Sequence, residues 1–290
     1  MDAHPDAIVE TGKGETPLCP CGSRRYARAL RAHKYSTYYG AGIELFEYEL
    51  LRCRACRLVR TWPQPADEDH APFRDESFIK PYIERAALFE SLLRPTVADI
   101  ARLQPPYGRL VDVGANIGMI VRMAGELGYK ATGVELNKAA VDHARAQGLD
   151  LVAKPLEEAG FGKESLDVVC LSATAEHIPD LDETFLLCRR LLRPGGLLYV
   201  SNSPNYRSFG ARFERDMWYG IQPTGHVWQF TPPTLRTAFE RAGFRVVSTR
   251  TYNLHRDFGR NRKERLKRTA FALAARAGLG DALSMAGVKP

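Results

Sequence analysis

From residue 109 onward the chain repeats one pattern, a short apolar run, a turn, then a longer stretch with helical spacing. "RLVDVG", a helix through Met123, "KATGVEL", a helix from Lys138, "LVA", "LDVVCLSA", a helix near Leu181 to Leu192 and "GLLYVSN" follow one another. Strands that alternate with helices are joined by crossovers and pair in parallel, so this succession predicts an α/β fold with a doubly wound, mostly parallel sheet. Beyond it, a helix opened by Thr231 and two prolines leads into the strand "FRVVSTRTY".

The first corner of that pattern reads "DVGANIG". Gly114 and Gly118 flank a strand-to-helix turn in which the backbone must bend sharply and approach a ligand closely, which a Cβ would obstruct. Glu135 ends the second strand, 21 residues after Gly114, where a carboxylate can accept both hydroxyls of a ribose. The bland alternative is a tight turn with a solvated glutamate. A dinucleotide fingerprint counted from Gly114 would need glycine at Asn116 and Met119 and finds neither, which disfavours a pyrophosphate. The expected ligand is an adenosine without phosphates whose far end carries an amino acid that Asp112 and the loop backbone can meet.

"VDVGANIG" followed by "VEL", then "LDVVCLSATAEHIPDL", "LLRPGGLLYVSNSPN" and "HVWQFTPPTLRTAFERAGFRVV" resemble the class I S-adenosylmethionine-dependent methyltransferases. The branch is that of small-molecule and sugar methyltransferases, which includes the ubiquinone-pathway O-methyltransferases. The resemblance covers roughly residues 105 to 253. It implies a seven-stranded sheet of order 3-2-1-4-5-7-6 with the last strand antiparallel, and "DALSMAGVK" (281–289) suits that strand. Residues 254 to 280 would be an insertion before it. The resemblance further implies that Asp112 and Gly114 line the methionine part of the cofactor and that Glu135 holds the ribose. Asn116, Gly118 and Leu136 complete the cofactor set. Pro155 stands where an aspartate is common, leaving the Leu156 backbone N–H and Glu157 for the adenine.

Methyl transfer from a sulfonium is an in-line displacement, so positioning and exclusion of water matter most, and a base is needed when the acceptor is a hydroxyl. His177 in "AEHIPD" follows the fourth strand, at the carboxyl ends of the strands where the crevice should open. It is the expected base, against the alternative of a histidine that caps the next helix or ties down a loop. His226 in "PTGHVWQF" is the second candidate, on a loop with Trp218, Tyr219, Trp228 and Phe230 that could close over the cofactor and form a hydrophobic acceptor pocket.

Upstream, Cys19-x-Cys21 and Cys53-x-x-Cys56 supply two tight pairs of thiols. Four thiolates match tetrahedral Zn²⁺ and leave no open coordination position, so the expected metal is structural. The alternative is free thiols. "CPCGS" beside "LRCRACRLV" also resembles the zinc ribbons that precede the methyltransferase domain in some sugar methyltransferases. Alternating aromatic and polar residues between the pairs predict short strands, and from Asp75 the spacing of Phe78, Tyr82, Ala86, Leu88, Leu92 and Leu93 predicts a helical arm up to "QPPYG". The expected organisation is a zinc-ribbon-like module and linker over 1–66, a helical arm over 67–105, and the methyltransferase domain over 106–290. Cys170 and Cys188 read as buried small hydrophobes.

The chain carries a formal charge of +7, but seven basic and two acidic residues in 256–268 account for +5 of it, leaving +2 for the other 277 residues. Charge so confined is a poor footprint for nucleic acid. In the same region Leu266, Ala270, Leu273 and Ala277 form an apolar stripe with Phe271 nearby, an amphipathic helix that could pack on the sheet or touch an anionic acceptor or membrane surface through 256–278. No segment reads as a signal peptide or membrane span, so the expected compartment is the cytoplasm, where cysteines stay reduced. The leading expectation is an enzyme methylating a small molecule or glycosyl group, on oxygen. Two alternatives are an RNA base methyltransferase with a zinc ribbon, disfavoured because "LSATAEH" lacks an N-P-P-Y-like motif, and a non-catalytic S-adenosylmethionine-binding interaction module.

Overall fold

A computed structural model of the chain describes residues 16–36, 44–64, 74–253 and 269–290. Its centre is a seven-stranded sheet whose five parallel strands are β4 (Arg109–Val113), β5 (Lys130–Val134), β6 (Leu151–Val152), β7 (Leu166–Ser172) and β8 (Leu192–Pro204). A two-residue strand, β9 (Trp228–Gln229), lies outside this sheet, which is completed by β10 (Arg245–Tyr252) and β11 (Ala282–Val288). The spatial order is β6-β5-β4-β7-β8-β11-β10, with β11 antiparallel to both neighbours. Numbered within the sheet this is 3-2-1-4-5-7-6, the expected order.

The central strands are apolar at almost every position because helices cover both faces. On one face α5 (Leu181–Leu191) and α7 (Pro232–Arg241) bury Phe185, Phe239, Leu235 and Val200. On the other, α2 (Ala86–Leu103) and α3 (Met119–Glu126) bury Val97, Ile100, Ile120 and Met123 against Leu110 and Val168. The helical arm expected from Asp75 is two helices, α1 (Glu76–Glu84) and α2, because the backbone turns out of helical geometry at Arg85 (φ −117°, ψ 30°). Asp75 caps α1 by accepting from Ser77 N–H at 2.8 Å. α4 (Lys138–Ala146) is capped by Asn137.

A second, antiparallel sheet is built from β1 (Tyr26–Ser36), β2 (Glu44–Cys53), β3 (Val59–Trp62) and β9. Three strands come from the cysteine-bearing segment and the fourth from the aromatic stretch after β8. Tyr48, Leu50 and Val59 of this sheet pack against Ala211 in α6 (Phe209–Glu214) and against Trp218 and Ile221, which follow it. Leu58 and Cys56 join the core of the large sheet.

Within the described part of the stretch between β10 and β11, helix begins at 269 and the apolar stripe differs from expectation. Ala270, Leu273 and Ala277 face outward while Ala274 is buried and Phe271 half-buried. The helix therefore turns a different face to the protein: Thr251 on β10 donates its hydroxyl to Ala275 O, and Asn253 Nδ2 donates to Phe271 O at 2.9 Å. The whole basic run, 256–268, with Leu266 in it, lies outside the described residues. Among the described residues no helix is long and apolar enough to cross a membrane.

Candidate active site

At the carboxyl ends of the parallel strands lies a cavity of about 720 Å³, the place where open α/β sheets bind ligands. It gathers most of the residues expected at the site: Asp112 near the end of β4, Gly114 and Asn116 after it, Glu135 and Leu136 after β5, Leu156, His177 after β7, and His226; Gly118 and the four cysteines are not in its lining.

The glycine turn is shaped by strict local geometry. Gly114 sits at φ +74°, and a Cβ there would lie 2.6 Å from Thr174 Oγ1. Gly118, at φ +80°, starts α3, and a Cβ on it would meet Leu149 at 2.9 Å, so it serves helix packing. Asn116 also adopts positive φ (49°) and accepts from Ile117 N–H through Oδ1 at 2.8 Å. The Glu135 carboxylate ties this turn to the start of α4. Its Oε2 accepts from Asn116 N–H at 2.8 Å, while Oε1 accepts from Leu136 N–H at 2.7 Å and Asn137 N–H at 2.8 Å. A carboxylate has about four acceptor directions. Three are taken, so holding both hydroxyls of a ribose requires one amide to let go.

Asp112 is 2% exposed, and its Oδ1 has no hydrogen-bond partner. Burial pushes its carboxyl up to about 8, with the nearby Glu135 charge adding to the rise and a hydrogen bond from Cys170 opposing it. A buried carboxyl oxygen left unpaired at the edge of a cavity fits a cationic group of a ligand. Together with the glycine cradle, it fits the amino-acid end of an adenosine-type cofactor. Pro155, Leu156 and Glu157 line the same cavity, where Leu156 opens a short helical turn, Leu156–Glu158.

His177 ends the turn Ala175–His177, which follows β7 through Ala173 in left-handed conformation (φ 50°). Its Nδ1 donates to Gly225 O at 3.0 Å, and Nδ1 of His226 donates to Gly220 O at 2.8 Å, since a carbonyl can only accept. In the neutral rings the basic nitrogen is therefore Nε2. The two rings meet edge to face at 4.6 Å between centroids. They are 49 residues apart in sequence, so nothing in either motif announces the pairing. Trp218, Trp228 and Phe230 are buried packing residues, whereas Tyr219 reaches the cavity.

Sequence reasoning missed Glu176, which is 1% exposed and accepts from Ser203 Oγ–H at 2.7 Å. Burial raises its carboxyl to about 7. The only available signal was its position beside His177. Glu176, His177 and His226 each offer a ligand atom within 4.8 Å of the others, a spacing a divalent cation can bridge. The wall formed by Phe78, Tyr82, Phe89, Leu92 and Leu93 of α1 and α2 was likewise not assigned to the site. Tyr82 and Phe89 stack at 4.4 Å, giving the cavity an aromatic part of its lining.

The four cysteines converge as the spacing predicts. Cys19 and Cys56 sulfurs are 3.5 Å apart, those of Cys21 and Cys53 3.6 Å, and none is in a disulfide. All four lie within 4.8 Å of one another, against an edge of about 3.8 Å for tetrahedral zinc with Zn–S near 2.3 Å. Each pair sits on a turn closed by a left-handed residue, Gly22 (φ 82°) and Arg57 (φ 67°). The hydrogen bond from the Cys19 thiol draws Cys56 down to about 5, so one thiolate is favoured before any metal arrives. The donor set fits a structural zinc. Cys170 and Cys188 are fully buried, as expected of small hydrophobes.

Residues 85–249 match a family described as a methyltransferase domain. The ubiquinone biosynthesis O-methyltransferase of Caulobacter vibrioides is 31% identical over 144 residues, covering 45% of this chain and 56% of that protein. The chain thus spans about half the length of the curated relatives it matches. Among solved structures, a chain of the Haloferax volcanii complex between the Trm112 methyltransferase activator and a methyltransferase superposes with a TM-score of 0.58 at 18% identity. It covers 77% of this chain and 96% of that one. The Burkholderia thailandensis 1,6-didemethyltoxoflavin-N1-methyltransferase, solved with 1,6-didemethyltoxoflavin and S-adenosylhomocysteine, gives 0.53 at 20% identity, over 83% and 95% of the two chains. At these identities the structural likeness speaks to the fold.

Proposed function

Because the chain belongs to the methyltransferase-domain family and has the class I S-adenosylmethionine-dependent fold, we propose that it methylates a hydroxyl of a small-molecule or glycosyl acceptor. What supports the reading is one cavity onto which the glycine turn, Glu135, the orphaned Asp112 oxygen and the two histidines all open. Asp112, Gly114, Asn116, Glu135, Leu136 and Leu156 would hold S-adenosylmethionine, which supplies the transferable methyl on its sulfonium, while Gly118, outside the cavity lining, would act only by letting the turn pack closely. Asp112 then faces the amino-acid end, and Glu135 keeps the turn in shape while accepting from the ribose. The apolar wall of α1 and α2 seats the acceptor and excludes water. His177 or His226, each held by a backbone carbonyl through Nδ1, takes the hydroxyl proton on Nε2.

Four thiolates at Cys19, Cys21, Cys53 and Cys56 would hold a structural zinc, within an organisation of a ribbon-like module over 1–66, a helical arm over 67–105 and the methyltransferase domain over 106–290. The related Caulobacter protein is named for ubiquinone biosynthesis, which favours a small acceptor over RNA. A surface role of 256–278 toward anionic membranes is tested by salt-sensitive liposome binding.

The deciding experiment is a methyl-transfer assay with small acceptors, glycosides and RNA, run on wild type, His177→Ala and His226→Ala. Replacing the base should lower kcat by about 10²- to 10⁴-fold while calorimetric affinity for S-adenosylhomocysteine stays unchanged. Wild-type turnover in both variants removes the histidine base, and product on RNA alone removes the small acceptor. A second reading, that Glu176, His177 and His226 hold a divalent cation which activates the acceptor hydroxyl, rests on their mutual spacing. It expects activity lost to EDTA and restored by Mg²⁺ or Mn²⁺ at unchanged zinc content.

A further inference from the structure

The cysteine cluster and the histidine pair are joined by a short covalent and hydrogen-bonded path. Cys56 is five residues before Thr61 and lies in a turn closed by Cys53 N–H donating to Leu58 O at 2.9 Å. Strand β3 then pairs with β9, Arg60 opposite Trp228 and Val59 opposite Gln229. Thr61 is fully buried, and its contacts are specific. Its Oγ1–H donates to His226 O at 2.6 Å, and its N–H donates to Val227 O at 2.9 Å. Val227 N–H in turn donates to Glu176 O at 2.9 Å, and Trp228 Nε1–H donates to Ile178 O at 2.7 Å. The backbones around Glu176, His177 and His226 thus hang on β3.

Arg60 adds a second tie. It is 4% exposed, with its guanidinium between the rings of Trp62 (5.5 Å) and Trp228 (5.1 Å), and its Nη1 donates to Leu18 O, next to Cys19, at 3.5 Å. Among the described residues no carboxylate pairs with it. The same guanidinium therefore touches both the residue that leads into the cluster and the residue two beyond His226.

We propose that the four-cysteine site positions His226, with Thr61 as the positioning residue that transmits its state to the active site. This rests on the reading of His177 and His226 as the candidate bases and of the cysteines as a zinc site, and it gives the metal a task besides holding the small sheet. With zinc bound, the two cysteine turns are cross-linked and the Cys56 end of β3 is anchored. Without it, β3 keeps its ladders with β2 and β9 but loses that anchor, and the donor that Thr61 offers the His226 carbonyl shifts with it.

The test uses zinc-loaded full-length protein labelled with ¹⁵N-histidine, with the His226 imidazole signals identified by His226→Gln. Chelation of zinc, and separately Thr61→Val, should each shift the His226 signals, leave those of His143 on α4 in place, and keep S-adenosylhomocysteine affinity within about threefold. Thr61→Ser should restore the wild-type signals. Unmoved His226 signals after either change overturn the proposal. So does a uniform collapse of all histidine signals together with cofactor binding, which would mark a merely global metal effect. Because the readout needs no acceptor, it is separable from the catalytic reading: should His226→Ala turn over normally while the His226 signals still answer to zinc and Thr61, the coupling stands and the base assignment falls.

Discussion

Asp112 illustrates how a single burial decides a protonation state. Its carboxyl rises to about 8, whereas in the unfolded chain it titrates near 4. The folded protein therefore retains a proton that the unfolded chain gives up, and the stability linked to it is complete below about pH 4 and lost as pH climbs toward 8. Glu176, raised to about 7, acts in the same direction over a narrower window. Cofactor-free protein should thus lose stability between about pH 5 and pH 7, and Glu176→Gln should flatten that slope in denaturant titrations. A cationic ligand reverses the preference at Asp112. Binding of S-adenosylhomocysteine near pH 7 should release a proton, seen as a calorimetric heat that varies with the buffer's ionisation enthalpy, and Asp112→Asn should abolish the release. At Gly114 the limits are steric: Gly114→Ala forces a Cβ to 2.6 Å from Thr174 at φ +74°, at a cost of about 1–2 kcal/mol for the backbone alone. Cofactor affinity should fall at least tenfold while far-ultraviolet circular dichroism stays native.

Helix α7 shows how completely an element can be written in local sequence. Thr231 accepts from Thr234 N–H and Thr234 Oγ1 accepts from Thr231 N–H, with prolines filling the first helical positions. Thr231→Ala should cost about 1 kcal/mol and lower the melting temperature by about 2–4 °C, measurable by scanning calorimetry. The parallel strands were equally legible, because burial on two faces demands unbroken apolar runs such as "LDVVCLS", and the glycine turn was legible because its φ values suit few other residues. Less local features were hidden. β9 has two residues and no periodicity of its own, and it exists only because β3 offers an edge. The break at Arg85 falls inside a run whose apolar spacing continues through it, so α1 and α2 read as one arm. The helix after 269 turned Ala274 inward rather than the expected stripe, since partners on β10 decided its face. The meeting of His177 with His226, the buried Glu176 and the aromatic wall all depend on tertiary contacts that spacing cannot carry.

At the scale of the whole molecule, the two sheets share residues rather than merely touching. Leu58 belongs to the core of the large sheet, Trp218 and Ile221 to that of the small one, and Trp228 and Gln229 complete the small sheet from within the larger unit. Unfolding should therefore be one cooperative event, with tryptophan fluorescence and far-ultraviolet circular dichroism giving coincident guanidinium curves. Two separated transitions would refute this. For anyone recombining such enzymes, the interlocked β3–β9 seam fixes where a cut can be made. A chimera that swaps the front segment at the linker near residue 66 leaves β9 facing a stranger, so an exchange of acceptor preference between homologues has to move the cysteine-bearing hairpin and the stretch from 206 to 230 as one inherited cassette.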